Sequence, residues 1–340
     1  MPKRFLVNSS PHYRAEWTTR TVMGDVIIAL LPAVAAATVF FGLRALVMTV
    51  VSVAGCIASE TLYNAIAKKN NTISDLSCVV TGMLIAFCVP VAAPYWLVVI
   101  GDVFAIVVVK MLFGGLGKNF LNPALAGRAF LFSWPSLMTT FTAPMLNTAL
   151  PVFSDPVFSV SDVSEYIDSI SSATPLESLK SGVMPSGGLW SLFVGNHAGS
   201  IGETCSLVLI LGGVFLLFRR VISWHIPVSY LGTVALLTFV FPRNGKPFDV
   251  NFMLAELFSG GLMLAAFFMA TDHSTSPMTG KGRLIYGCGC GLLTVLLRYY
   301  GGYPEGVGYA ILLMNIFALS LDKITAPKRY GIGGGYHVGK

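Results

Sequence analysis

Residues Val22 to Phe41 form the stretch VMGDVIIALLPAVAAATVFF, in which Asp25 is the only charged side chain. Roughly 20 helical residues cross a bilayer core about 30 Å thick, so this stretch is long and apolar enough to span it. Nine further apolar stretches follow, at about 45–66, 76–92, 94–113, 120–138, 204–218, 222–241, 252–271, 283–299 and 306–322. The sequence therefore predicts an all-α polytopic membrane protein with about ten transmembrane helices, some of them short or broken.

Composition supports the same class of protein. Of the 340 residues, 54% are hydrophobic and 11% are charged, whereas soluble domains carry about 25% charged residues. The six cysteines lie in or beside apolar stretches and are not spaced as an iron–sulfur or metal site. We expect no resident metal and no nucleic-acid partner, and any iron–sulfur centre has to come from a partner protein.

The basic residues predict the orientation of the chain. With the N terminus in the cytoplasm, 16 of the 22 Lys and Arg residues fall on the cytoplasmic side and Arg128 falls within a span. The five on the other side are Arg44, Lys180, Arg243, Lys246 and Arg298. This bias follows the positive-inside rule, and it places the polar segment 139–203 outside and both termini in the cytoplasm.

Two halves of the chain share landmarks in the same order. TGMLIAF at 81–87 resembles SGGLMLAAF at 259–267, and a helix ending in a double glycine follows each, at Gly114-Gly115 and Gly301-Gly302. Five spans per half is an odd number, so the copies face opposite ways, as in many transporters. The predicted organisation is two inverted five-helix repeats at 22–138 and 204–322, joined by the loop 139–203, with an N-terminal segment 1–21 and a tail 323–340.

Within the long polar segment, the string Asp168-Ser-Ile-Ser-Ser-Ala-Thr174 precedes Pro175. Ser171, Ser172 and Ala173 are small, so an enzyme can approach the Thr174 hydroxyl, and Pro175 disfavours a helix through Thr174. From chemistry alone, a Ser/Thr turn or a helix cap explains the same residues.

A family resemblance covers nearly the whole chain. It is carried by Ser10-Pro-His12, Asp25-Val-Ile-Ile-Ala-Leu-Leu-Pro32, Gly114-Gly-Leu-Gly-Lys-Asn-Phe-Leu-Asn122-Pro123, Ser172-Ala-Thr-Pro-Leu176, Ile201-Gly-Glu203, Ile226-Pro-Val-Ser229, Phe268-Met-Ala-Thr-Asp272, Ser276-Pro277, Tyr303-Pro-Glu-Gly306 and Leu321-Asp322. In their order and spacing these segments resemble the D subunit of the Rnf complex, the ion-translocating ferredoxin:NAD oxidoreductase.

The resemblance implies that Thr174 carries FMN through a phosphoester made by a separate flavin transferase. Asp168, Ser171, Ala173 and Thr174 match the family's pattern, and Ser172 replaces its glycine. The resemblance further implies a second, non-covalent flavin (riboflavin or FMN). It also implies that the A, B, C, E and G subunits are partners, a bacterial cytoplasmic (inner) membrane location, and electron flow coupled to Na⁺ or H⁺. No residue is predicted to be catalytic in its own right.

Three other hypotheses stay open. The chain is also similar, more distantly, to the B subunit of the sodium-pumping NADH:quinone reductase, but the short segment before its first span favours Rnf. A secondary transporter or channel with inverted repeats would have no use for an accessible Thr174, and its purified form would be colourless. A passive assembly scaffold would leave Thr174 unmodified and its replacement harmless.

Ionisable side chains within spans are costly and therefore suggest function. Glu60, Asp102 and Asp322 are the predicted residues of an ion pathway. For Glu60 and Asp102, an ion pair within the membrane, for instance with Arg128, is an equally good explanation. For Asp322, which lies close to a helix end, anchoring is an alternative role.

Overall fold

A computed structural model of the protein describes residues 18–69, 72–144, 152, 172–185, 187–302 and 305–327, and within these residues the chain is entirely helical, with no strand. The helices are α1 Thr19–Phe41, α2 Leu43–Ile66, α3 Ser77–Phe87, α4 Tyr95–Val103, α5 Pro123–Leu131, α6 Pro135–Met138, α7 Pro175–Lys180, α8 Gly188–Val194, α9 Ser206–Phe218, α10 His225–Val240, α11 Val250–Phe258, α12 Leu262–Leu264, α13 Gly280–Tyr300 and α14 Val307–Thr325. A 3₁₀ turn covers Ile73–Asp75, and π-helical segments extend α4 over Phe104–Met111 and α12 over Ala265–Met269.

Three of these helices are long and apolar enough to cross a bilayer on their own: α1, α2 and α14. A fourth crossing is made if α11 and the helix at Leu262–Met269 count as one bent span, with 67° between its two parts. Helices α3, α9 and α10 are apolar but shorter. The prediction of a helical membrane protein is therefore confirmed.

The bend between α11 and α12 follows from the local sequence Ser259-Gly260-Gly261. Gly260 has a φ of +65°, a conformation that costs glycine little and other residues more. The turn leaves the Gly261 N–H outside the helical hydrogen-bond pattern, where it donates to the Glu305 carboxylate at 3.1 Å. A break of this kind inside a membrane requires polar partners from neighbouring elements.

A second irregular stretch separates α3 from α4. Its sequence Val89-Pro-Val-Ala-Ala-Pro94 contains two prolines that cannot continue a helix, and the predicted span 76–92 is indeed a short helix that ends at Phe87. The buried guanidinium of Arg44 donates to the carbonyls of Val91 and Ala93 at 2.9 and 3.1 Å. Arg44 therefore stabilises irregular backbone, and the prediction that it lies in an outer loop was wrong: it is buried in the first turn of α2.

The predicted span 120–138 is also not one helix. α5 ends at Leu131, and a separate four-residue helix α6 begins at Pro135. Pro135 lacks the N–H that would continue the hydrogen-bond ladder. The start of α5 is set by Asn122, whose side chain accepts hydrogen bonds from the Ala124 and Leu125 amides at 3.0 and 3.3 Å, with Pro123 at the favoured first position.

The first prediction concerns helix packing at Gly82 in α3. A Cβ at this position would lie 2.8 Å from the Val53 Cα, and main-chain atoms cannot move aside as a flexible side chain can. We expect Gly82→Ala to cost about 1–3 kcal/mol, measured as a lower thermal unfolding temperature in detergent. Gly232→Ala, where a Cβ meets nothing within 4 Å, is the control and should melt like the wild type. Equal melting temperatures for the two variants would contradict the tight α2–α3 packing.

Candidate functional site

Thr174 is the N-cap of α7. Its Oγ1 accepts a hydrogen bond from the Glu177 amide at 3.3 Å, and Pro175 occupies the first position of the helix. The helix-cap explanation of this threonine is therefore correct as local structure, but one long hydrogen bond leaves the hydroxyl proton unused. Ala173 is exposed, which confirms the expected lack of crowding on that side. Asp168 and Ser171 lie outside the described residues.

Thr174 lies on the wall of a pocket, which we call the Thr174 pocket, enclosing about 520 Å³ of empty space including its mouth. The main-chain N–H of Ser172 donates to the Phe141 carbonyl at 2.7 Å and so holds the segment before Thr174 against this pocket. Its walls are mainly apolar, with two carboxylates. The lining residues are Phe132, Thr139, Phe141, Thr174, Pro175, Leu176, His197, Ala198, Gly199, Glu203, Gly260 and Glu305.

The two carboxylates of the pocket converge on Arg128, from α5. Both terminal nitrogens of Arg128 donate to Glu305, with Nη1 lying 3.2 Å from Oε1 and Nη2 bonding Oε2. Arg128 Nη1 also lies 3.2 Å from Glu203 Oε1, but that contact lacks hydrogen-bond geometry, and within the described structure Glu203 Oε1 has no donor. The guanidinium fork therefore serves Glu305, and Glu203 receives only through-space attraction.

This difference sets the charge state of the two acids, both of which lie outside the helices. Desolvation by burial and then repulsion from Glu305 raise the pKa of Glu203 well above its usual range. Burial acts in the same direction on Glu305, but the attraction of Arg128 outweighs it and lowers the pKa of Glu305 to about 2. Burial also lowers the pKa of His197, so this imidazole is neutral at pH 7.

A second buried ion pair lies on the far side of the helix break. Arg298, near the end of α13, donates to the Glu256 carboxylate at 2.8 Å and to the carbonyls of Glu256 and Ser259 at 2.6 and 2.9 Å. Arg298 thus satisfies the carbonyls freed where α11 ends. The break is therefore bounded by Arg298 on one side and by Glu305 on the other.

Of the predicted ion-pathway residues, Glu60 is buried in an ion pair with Lys110 Nζ at 2.6 Å. Lys110 also donates to the Ser77 hydroxyl at 2.6 Å, and Thr72 donates to the other Glu60 oxygen. The expectation of an intramembrane ion pair holds for Glu60, but the partner is Lys110 instead of Arg128. Arg128 lies too close to Glu203 and Glu305 to serve α2.

Asp102, in α4, is fully buried beside α2. It accepts hydrogen bonds from Ser52 Oγ at 2.7 Å and Cys56 Sγ at 3.5 Å, and its Oδ2 has no partner among the described residues. The suggested Arg128 pair is wrong here also, because the salt bridges of the described residues include none to Asp102.

Asp322 lies near the end of α14 and accepts from the amides of Met278 and Thr279, at 2.9–3.1 Å. It therefore ties the last helix to the start of α13, which is the anchoring role considered for it. The structure does not bring Glu60, Asp102 and Asp322 into one cluster, and the described residues contain no group of three or more His, Cys, Asp or Glu side chains able to hold a metal.

A second pocket lies at the other end of α3. The C-terminal end of α3 contacts the Thr174 pocket, since the Phe87 carbonyl accepts from the Gly202 amide, whereas Ser77 at its N-terminal end lines the second pocket. We call the latter the Asp272 pocket; it encloses about 720 Å³ including its mouth. Its polar lining consists of Ser77, Thr81, Lys110, Asn119, Asn122, Thr271, Asp272, His273 and Ser274.

Sequence analysis did not single out Glu203 and Glu305 because both lie outside the apolar stretches, where a carboxylate is unremarkable. The signal that was available is their company. Each is preceded or followed by glycine at the edge of a span, in Gly202-Glu203 and Glu305-Gly306. Both are buried next to Arg128, a basic residue within a predicted span that needed acidic partners.

The second prediction tests the Arg128 cluster. Arg128→Met leaves Glu305 buried without its cation, and we expect a loss of about 3–5 kcal/mol, seen as a lower melting temperature in detergent. Adding Glu305→Gln to Arg128→Met should restore part of that loss. Arg219→Met, at the half-exposed pair with Asp25, is the control and should cost less than about 1 kcal/mol. Simple additivity of the two changes at the cluster would contradict the assigned contact.

Comparison with known proteins agrees with this architecture. Residues 6–331 match the model of a family described as "NQR2, RnfD, RnfE family". The chain is 44% identical over 332 residues to the D subunit of the Na(+)-translocating ferredoxin:NAD(+) oxidoreductase complex of Acetobacterium woodii, covering 96% of this chain and 95% of that relative. It is 39% identical over 337 residues to the D subunit of the proton-translocating ferredoxin:NAD(+) oxidoreductase complex of Clostridium ljungdahlii, covering 96% of each.

A third relative is the D subunit of the ion-translocating oxidoreductase complex of Shewanella amazonensis, 39% identical over 344 residues, with 96% of this chain and 98% of the relative covered. The names of these relatives differ in the ion that they specify, and they agree in the complex and its component. Identity at this level extends over nearly the whole of each chain, so it includes the residues around both pockets. The protein belongs to the NQR2, RnfD, RnfE family.

Proposed function

We propose that this chain is the membrane redox subunit of an Rnf-type complex, carries FMN in phosphoester linkage on Thr174, and relays electrons between ferredoxin and NAD while Na⁺ or H⁺ is translocated. The observation that carries the proposal is the position of Thr174 on the wall of the Thr174 pocket, with its hydroxyl proton free of described partners. The names of the relatives support the Rnf assignment over the quinone-reductase alternative.

The residues of the Thr174 pocket fit a flavin. The pocket lies within the roughly 300–1,000 Å³ range of ligand sites, and its apolar walls, Phe132, Phe141 and Leu176, suit an aromatic ring system. Bound flavin would supply the electron-transfer chemistry. The chain itself supplies the hydroxyl for attachment, and the buried ion pairs keep the surrounding backbone rigid.

The proposed architecture is ten crossings in two inverted repeats, in the bacterial cytoplasmic membrane, with 139–203 outside and both termini in the cytoplasm. A structural correspondence supports the repeat. Lys110 and Arg298 precede the two double glycines, and each is a buried cation paired with a glutamate, Glu60 or Glu256. Lys110 lines the Asp272 pocket at one end of α3, and Arg298 lies beside the break near the Thr174 pocket at the other end.

The non-covalent flavin expected from the resemblance is assigned to the Asp272 pocket. This pocket is formed by both halves, with Ser77 and Lys110 from the first and Phe268 and Asp272 from the second. Its amide and hydroxyl groups match the hydrogen-bonding edge of a flavin. In this arrangement, two flavins would lie near opposite ends of α3, whose 11 residues span about 16 Å.

Glu60, Asp102 and Asp322 are retained as proposed contributors to ion movement, and the other Rnf subunits and a flavin transferase as proposed partners. Asp102 has the strongest case, because its Oδ2 is buried without a described partner. The competing hypothesis is a non-redox transporter with inverted repeats. The broken helix α11–α12 suits that hypothesis equally well, so the flavin is what separates the two.

The third prediction tests the attachment of FMN. After expression with the flavin transferase and denaturing electrophoresis, the wild-type band should fluoresce under ultraviolet light and the Thr174→Val band should be dark. Thr139→Val, which removes another threonine of the same pocket, should stay fluorescent. A dark wild-type band, with the transferase active on another acceptor, would refute covalent flavin and leave the transporter hypothesis.

The same Thr174→Val protein tests the second flavin. Because the Asp272 pocket lies away from Thr174, we expect acid treatment to release riboflavin or FMN from this variant in an amount close to that released by the wild type, measured by chromatography. Colourless Thr174→Val protein with no extractable flavin would contradict the second site.

The fourth prediction tests orientation. Ala173 and Met278 are both exposed and lie near the Thr174 pocket and near the start of α13, respectively. In intact cells lacking Cys288, the one exposed cysteine of the described residues, a membrane-impermeant maleimide should label Ala173→Cys and not Met278→Cys. Lysed cells should label both. The reverse pattern would invert the proposed topology.

A further inference from the structure

The charges around the break between α11 and α12 do not balance. Five buried ionisable side chains bound it, and two of them are basic. They are Arg128, Arg298, Glu203, Glu256 and Glu305. With every group ionised, two positive charges against three negative ones leave the cluster at −1. An uncompensated charge in a low-dielectric interior is very costly, so such a cluster takes up a cation or a proton.

Geometry identifies the member that lacks compensation. Glu256 has Arg298, and Glu305 has both arms of Arg128 together with the Gly261 amide. Glu203 has no hydrogen-bond donor at its Oε1 among the described residues. Its carboxyl group is within hydrogen-bonding reach of Glu305. Two carboxylates can form such a bond only if one of them carries a proton.

The approach of the two acids is enforced by the helix break. A Cβ at Gly261 would lie 2.8 Å from Oε1 of Glu203 and 2.8 Å from Oε1 of Glu305, so both oxygens lie against the same glycine. A side chain at this position would push them apart. Because both acids line the Thr174 pocket, the shared proton is accessible from that pocket.

We propose that Glu203 and Glu305 form a proton-binding site in which Arg128 keeps Glu305 ionised and the exchangeable proton resides on Glu203. The site is loaded at neutral pH and loses its proton only in alkaline solution. This sign follows because burial and the Glu305 charge both favour the protonated form of Glu203. The proposal deepens the proposed function by making the proton affinity of this site depend on the charge in the Thr174 pocket.

Other titratable and charged groups around the pair leave this assignment unchanged. His197, in the segment that carries Glu203, is neutral at pH 7. On α7, Lys180 donates to the Gly301 carbonyl at 2.6 Å and Glu177 is exposed. The remaining groups from the packed elements are Cys88 after α3, Arg128 on α5, Glu256 on α11 and Arg298 on α13.

The dependence on the pocket is electrostatic and rests on the proposed function. An electron added to a flavin in the Thr174 pocket places negative charge near Glu203, and a nearby negative charge raises the proton affinity of a carboxylate. The pH at which Glu203 loses its proton should therefore be higher in the reduced protein than in the oxidised protein.

The test is infrared spectroscopy of the full chain, made first without the flavin transferase. The difference between the wild-type and Glu203→Gln spectra at pH 7 should contain the C=O stretch of a protonated carboxylic acid, and this difference separates Glu203 from other buried acids such as Asp102. Glu177→Gln, at an exposed position, should produce no such difference. Glu203→Asp, the second variant, should keep a carboxylic acid band at a shifted frequency and covers the case in which Glu203→Gln fails to fold.

An absent band in the flavin-free wild type would overturn the proton site. A band that vanishes on addition of Na⁺ but not of choline would also overturn it, because a metal cation would then replace the proton. In flavinylated protein, the titration midpoint of the band should move to higher pH on reduction with dithionite, and an unmoved midpoint would overturn the electrostatic link. If Thr174 is never flavinylated, the flavin-free band still decides the proton site, so the two proposals fail separately.

Discussion

Arg128 is the residue on which the Thr174 end of the molecule depends. It extends from α5 in the first half of the chain, and its guanidinium binds Glu305, which immediately precedes the second half's last helix, while lying next to Glu203. One side chain thus connects elements that are 177 residues apart in sequence. Because an unpaired charge is costly in this setting, removing any member of the cluster affects the positions of the others.

The same constraint explains how irregular backbone is tolerated within a membrane protein. Arg44 satisfies the carbonyls of the Val91–Ala93 turn, and Arg298 satisfies those at the end of α11. Glu305 accepts from the amide of Gly261 on the other side of the break. Each interruption of a helix is therefore matched by a charged side chain from another element. The two pockets lie beside these interruptions, where the backbone is not packed into a continuous helix.

The sequence alone was sufficient for the helical membrane class and for much of the placement of the helices, because a long apolar stretch with one isolated charge is typical of a membrane-spanning helix. It also singled out Thr174 through a family resemblance and Glu60 through the cost of a buried carboxylate. It failed on partners: Arg128 was assigned to the acids of the spans, whereas the structure gives it Glu203 and Glu305. Which residues meet across 177 positions depends on how the helices pack, and spacing along the chain contains no such information. The bend of 67° between α11 and α12 was suggested by Gly260 and Gly261, but its size is set by the side chains that satisfy the opened backbone.

The central claim is that Thr174 carries the flavin, and mass spectrometry of proteolytic peptides from protein matured with the flavin transferase tests it most directly. The account predicts that the peptide containing Thr174 is heavier by FMN less one water and that fragmentation places the added mass on Thr174. An unmodified peptide, or a flavin located on another residue while the transferase is demonstrably active, would contradict it.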